Sequence, residues 1–124
     1  MIVIELDLPM PPSTNALWRS NRGRVHRSAQ YEKWLKNADA LALSQLGWRG
    51  KKILGRFTLT LFLNERMMRT NRDWDNTLKA PLDFAKRLGL IVDDSIQYSR
   101  GGTVILASAE EAPAGARLIL TELL

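Results

Sequence analysis

Residues 72–94 read RDWDNTLKAPLDFAKRLGLIVDD, and the fold and the chemistry of the chain both turn on this stretch. Leu78, Leu82, Ala85 and Leu88 recur at three- and four-residue steps, which predicts a helix from about Asp75 to Leu88 with those side chains inward. Gly89 ends it, because glycine readily takes the left-handed conformation that closes a helix. Pro81 sits awkwardly inside: proline removes a backbone donor and costs up to about 3 kcal/mol deep in a helix, so a slight kink is expected. Acids stand at both ends, Asp73 and Asp75 before the helix and Asp93 and Asp94 after it.

Outward from this helix the pattern is that of a small α+β domain. Residues 2–8, IVIELDL, alternate Ile2, Ile4, Leu6 and Leu8 with Glu5 and Asp7, as a half-buried strand does. The prolines of PMPP stop that strand. Residues 13–27 read as a long loop carrying Arg19, Arg22, Arg24 and Arg27 and no acid, with a turn at Asn21–Gly23. Ser28 is a good N-cap for a first helix whose apolar stripe is Tyr31, Trp34, Leu35, Ala38, Leu41, Ala42 and Leu46, with Gly47 as its stop. Residues 56–63, RFTLTLFL, form a strand with Phe57, Leu59, Leu61 and Leu63 inward. Residues 103–107 and 116–122 read as a terminal strand pair joined by a mobile loop. The resulting order is β-α-β-α-β-β: one domain over residues 1–124, a mixed sheet of about four strands, and two main helices packed on one face.

Composition narrows the function. A formal net charge of +5 and a sequence pI of about 10.0 favour an anionic partner, nucleic acid above all. The absence of cysteine excludes a disulfide scaffold, a cysteine-based zinc finger and a thiol nucleophile. A single histidine, His26, leaves no multi-histidine metal site; it is read as a loop residue touching backbone or phosphate. No apolar run approaches the roughly 18 residues of a membrane span. Met1 leads straight into a strand rather than a signal peptide, so the expected compartment is the cytoplasm.

Against this basic background the acids stand out. If residues 72–75 are extended, Asp73 and Asp75 face one side and Trp74 the other. Asp94, arriving from the far end of the helix, then completes a three-oxygen cage for a hard cation. Unpaired carboxylates about 4 Å apart repel by about 4 kcal/mol at an effective dielectric near 20, a penalty that a divalent cation turns into affinity. The plainer alternative makes Asp75 or Asn76 a helix cap, Asp75–Lys79 a surface ion pair and Asp93–Asp94 a turn. Lys79 reads either as a helix-surface lysine or as a cation stabilising charge on a phosphate. A calcium loop starting at Asp73 fails, since its sixth and twelfth positions would be Leu78 and Phe84. Trp18, Trp34, Trp48 and Trp74 read mostly as core or boundary residues, and Trp18, beside Arg19, is the one suited to stacking on a base. The basic loop, with Arg66, Arg69 and Arg72, is suited to backbone phosphates.

Four segments in order carry a resemblance: LPMPPSTN at 8–15, NRGRVHRS at 21–28, RDWDNTLK at 72–79 and LGLIVDD at 88–94. Together they resemble the RusA-type Holliday-junction resolvases over nearly the whole chain. The resemblance implies that Asp73, Asp75 and Asp94 bind Mg2+, with Mn2+ as a substitute, and that Lys79 assists at the phosphate. The residues expected against DNA are Asn15, Arg19, Arg22, Arg24, Arg69, Arg72 and Lys79. The resemblance further implies a homodimer that nicks two opposed strands of a four-way junction, leaving 5′-phosphate and 3′-hydroxyl ends, in DNA recombination and repair. Relatives of this kind are often carried by phages and prophages. Two rivals stand beside this reading: a less selective nuclease acting on flaps or replication intermediates with the same residues, and a non-catalytic nucleic-acid-binding module in which the aspartates are structural.

Overall fold

Alternation in the first strand is realised in three dimensions. Ile4, Leu6 and Leu8 of β1 (Val3–Pro9) are buried, and Glu5 and Val3 point outward. The computed structural model describes residues 1–68 and 73–124. After β1 come β2 (Trp18–Asn21), β3 (Arg24–Arg27), α1 (Ala29–Leu43), β4 (Phe57–Asn64), α2 (Lys79–Arg87), β5 (Ser99–Ala107) and β6 (Gly115–Glu122). Four strands form one mixed sheet in the order β1-β6-β4-β5, with β4 and β5 parallel and the other pairs antiparallel. Leu6, Leu118, Leu61 and Val104 stand in register across it, one row of its inner face. Tyr31, Trp34, Leu35 and Ala38 of α1 and Ala80, Phe84 and Ala85 of α2 join the same apolar cluster, so both helices cover this face. Trp34 and Phe84 meet edge to face with ring centroids 5.8 Å apart, which locks the helices side by side.

Four details differ from the sequence-based expectation. The segment 13–27 is not all loop: β2 and β3 pair as a hairpin, closed at Arg22 (φ 52°) and Gly23 (φ 77°). Both residues take the positive φ that a two-residue hairpin turn demands. Every residue of the two strands is exposed, so no apolar alternation marked them. The terminal strands are not neighbours, because β4 lies between them. The connecting loop is pinned: Asn64 Nδ2 donates to the carbonyl of buried Ala112 at 3.1 Å.

The fourth detail is the end of α1. Ser28 caps its start as expected, its hydroxyl accepting from the Tyr31 N–H at 3.0 Å. The helix stops at Leu43, before Gly47, and Leu46 is exposed. The cause is β1. Gln45 bonds both the N–H and the carbonyl of Asp7 with its side-chain amide, and the Gly47 carbonyl accepts from Glu5 N–H. Residues 45–47 thus cover the outer edge of β1, satisfying backbone groups an edge strand would leave open.

Candidate active site at the ends of the second helix

The approach to α2 is built of short-range bonds. Asp73 is extended, Trp74–Thr77 form a 3-10 turn, and the backbone breaks from helical geometry at Asn76 before α2 begins at Lys79. The buried Thr77 hydroxyl donates to the Trp74 carbonyl at 2.6 Å. From the proline-rich side, the Thr14 hydroxyl donates to the Asn76 carbonyl at 2.9 Å and ties the turn down. Pro81 is therefore the third residue of the α-helix proper, where the backbone N–H has no intrahelical partner to lose, and the expected kink is replaced by the break at Asn76. The strand-like alternation expected for Asp73 and Asp75 does not govern this segment, because Asp75 lies inside a three-residue-per-turn helix. Both carboxylates are exposed, and neither forms an ion pair with a described residue. Trp74 between them is also exposed rather than core.

The far end of α2 is closed by two backbone bonds, Gly89 N–H to the Lys86 carbonyl and Leu90 N–H to the Ala85 carbonyl, both 3.0 Å, with Gly89 at φ 77°. Leu90 and Ile91 are buried, and the Leu90 carbonyl accepts from Ile53 N–H, which anchors the chain as it leaves the helix. It then runs back along α2. Asp93 meets Lys86 near the C-terminal end at 2.9 Å, and Asp94 meets Lys79 at the first helical residue at 2.9 Å. Asp94 thereby returns to the end of α2 that Asp73 and Asp75 precede. Lys79 bridges Asp94 and Asp83, the latter at 3.1 Å, rather than forming the pair with Asp75 that the alternative reading required.

Electrostatics follow from these contacts. The Lys79 ammonium is held above its usual pKa, chiefly by the bond to Asp94 and next by Asp83, with burial opposing. Lys86 and the Asp94 backbone N–H hold the Asp93 carboxyl down at about 2. The Tyr31 hydroxyl is raised by burial and then by the Asp83 charge. Among the described residues, no three histidine, aspartate or glutamate side chains are gathered as a metal-holding group. The donors on offer at this end of α2 are carboxylate oxygens, the ligand type a hard divalent cation takes.

The basic residues divide. Arg19, Arg22 and Arg24 project from the exposed hairpin, and Asn15 lies on the turn before it. Arg19 also donates to the carbonyls of Asn15 and Trp18. Arg66 is exposed on the turn after β4, whereas Arg69 and Arg72 lie outside the described residues. His26 is in β3 rather than in a loop, and its Nδ1 lies 2.9 Å from the Arg27 carbonyl, a backbone contact as expected. Asp83 and Thr14 escaped the sequence reading. The Lys79–Asp83 spacing of four residues was the available signal for the first; the second rests on a contact between distant segments, which leaves none.

Comparison with known proteins matches most of the chain. The family profile described as endodeoxyribonuclease RusA matches residues 9–100, from the end of β1 to the start of β5. A crossover junction endodeoxyribonuclease RusA of Escherichia coli O139:H28 is 29% identical over 96 residues, covering 77% of this chain and 78% of the relative. Proteins of the same name from Escherichia coli K12 and from Enterobacteria phage 82 are each 30% identical over 95 residues, covering 77% of both chains.

Proposed function

The chain belongs to the RusA endodeoxyribonuclease family, and from that premise we propose that it is a Mg2+-dependent nuclease resolving four-way DNA junctions by paired nicks, with Mn2+ able to replace Mg2+. The observation that carries the reading is the pairing of Lys79 with Asp94 at the first residue of α2, the end that Asp73 and Asp75, exposed and without an ion pair to a described residue, precede in the chain. Asp73, Asp75 and Asp94 would hold the cation. When bound, such an ion lowers the pKa of water and draws charge from a phosphate oxygen.

The protein's own groups supply the rest. Asp94, if it were among the ligands of a cation, would free Lys79 from the pair it now forms, leaving that ammonium available to the phosphate. Lys79 then stabilises charge on the phosphate or on the departing 3′ oxygen. Hydrolysis leaves 5′-phosphate and 3′-hydroxyl ends, which suits recombination and repair. Asn15, Arg19, Arg22 and Arg24 of the exposed hairpin region, with Arg69 and Arg72, grip backbone phosphates and set register. Symmetric cutting needs two sites, hence a homodimer. Relatives in both bacteria and a phage fit a cytoplasmic, phage- or prophage-borne enzyme, and no described helix is long and apolar enough to cross a membrane.

The test is cleavage of an end-labelled four-way junction and a matched duplex, with Mg2+ and with chelator. Paired, metal-dependent nicks confined to the junction are expected. Equal cutting of the duplex would overturn the structure selectivity, and binding without cutting under any divalent metal would overturn the nuclease reading for this chain.

A further inference from the structure

Beside the acids, on the other side of Asp83, lies a cleft that the reading above does not use. Trp18, Arg27, Tyr31, Leu35, Asp83 and Lys86 line most of it, and it encloses about 400 Å³, within the range of roughly 300–1,000 Å³ usual for small-ligand clefts. Its aromatic wall is preformed. Trp18 stands edge to face on Tyr31 with centroids 6.2 Å apart, and Arg27 lies 5.9 Å from the Tyr31 ring centre. Trp18 nevertheless leaves 47% of its surface to solvent, a large apolar face uncovered beside a basic rim. Among the described residues, the ion pairs of Arg27 and Lys86 are surface contacts, with exposed Glu32 and half-buried Asp93, weak enough to yield to a phosphate.

We propose that this cleft holds one unstacked nucleobase of the DNA strand being cut, stacked on Trp18. The proposal rests on the assignment of the neighbouring phosphate to Lys79. The link is Asp83, which both lines the cleft and lies 3.1 Å from Lys79 Nζ. A nucleotide whose phosphate lies at Lys79 therefore has the cleft next to it for its base or its neighbour's. The chemistry suits a base. An aromatic face takes any of the four by stacking, and flanking cations take the adjoining phosphates. Asp83 adds selectivity. A carboxylate only accepts hydrogen bonds, and the ion pair to Lys79 leaves part of its lone-pair capacity free. Bases carrying an exocyclic amino group satisfy it. Thymine presents its one ring N–H between two carbonyl oxygens, which the carboxylate repels.

The experiment places 2-aminopurine, one position at a time, along the strand spanning the nick in a four-way junction. Its fluorescence is followed on addition of the full-length protein in chelator, where nothing is cut. One position should change its emission with the wild-type protein, keep most of that change with Trp18→Phe, and lose it with Trp18→Ala, whose fold is checked by circular dichroism. With Mg2+, an abasic site at that position should slow wild-type cleavage by about 10-fold and leave Trp18→Ala cleavage unaffected. If no position depends on Trp18, or if the abasic penalty is the same in both proteins, the inference is wrong. A Trp18-dependent position in a protein that cuts no junction would instead overturn the proposed activity and leave the base site standing.

Discussion

The two ends of α2 carry the same chemical group under opposite constraint. Beyond its C-terminal end, Asp93 and Asp94 follow buried Leu90 and Ile91 and each meets a lysine of the helix at 2.9 Å. Before its N-terminal end, Asp73 and Asp75 sit on a short turn, exposed and without an ion pair to a described residue. One pair is matched by lysines of the helix; the other is matched by no described residue. On the proposed function, the contrast divides the roles. A carboxylate already matched to a lysine can give up that partner and so govern it, whereas an unmatched one offers affinity directly. Lys79 is the hinge between the two, since it bonds Asp94 while lying four residues after Asp75.

Charge removal at the unmatched end should have the largest consequence. Asp73→Asn and Asp75→Asn are each expected to lower junction cleavage at least about a hundredfold. Junction binding, read by gel shift in chelator, should hold or tighten, because a negative charge facing phosphate is gone. Wild-type cleavage by either variant would erase the contrast. Lys79→Met should come next, with cleavage down about 10- to 100-fold. Its urea-unfolding stability should move by no more than about 1 kcal/mol, because Lys79 is 45% exposed and such pairs contribute little. A loss confined to stability would make the lysine a mere strut.

Gly89→Ala probes the backbone instead. Forcing a Cβ into φ 77° should cost about 1 kcal/mol in urea unfolding and loosen the return of Asp94 toward Lys79. An unchanged midpoint would mean that the turn is not what holds the matched pair. The smallest effect is a titration. Lys86 is the main cause of the low Asp93 pKa, so Lys86→Met should raise it from about 2 toward the ordinary 3.8, measured by carboxyl carbon NMR. Because the folded pKa lies below the unfolded one, the pair's contribution to stability is complete above about pH 4 and disappears as pH falls toward 2. An Asp93 that titrates normally in the wild-type protein would remove one arm of the comparison.

Local chemistry was legible in the sequence where it repeats. Alternation disclosed β1 and β4, Ser28 disclosed the start of α1, and Gly89 disclosed the end of α2. The hairpin of β2 and β3 was not legible, since strands exposed on both faces have no apolar period. Nor was the place of β4 between β5 and β6, which depends on pairing between segments far apart in the chain. At the site, the acids were conspicuous against a basic chain. The 3-10 turn was not, because Thr14 helps to hold it from 62 positions away. Asp83 looked like any helix-surface charge until Lys79 and the cleft beside Trp18 gave it neighbours.

The position of β6 has a consequence for synthesis. It pairs with β1 on one side and β4 on the other, so the two halves of the sheet have no shared border until residues 115–122 have emerged. Contacts of such long sequence separation form late and slowly. A nascent chain can cap α1 and close its basic hairpin early, but the four-stranded sheet is complete only once β6 has emerged. Unfinished copies of an enzyme directed at DNA would then carry the charge for binding without the rigid support for cutting.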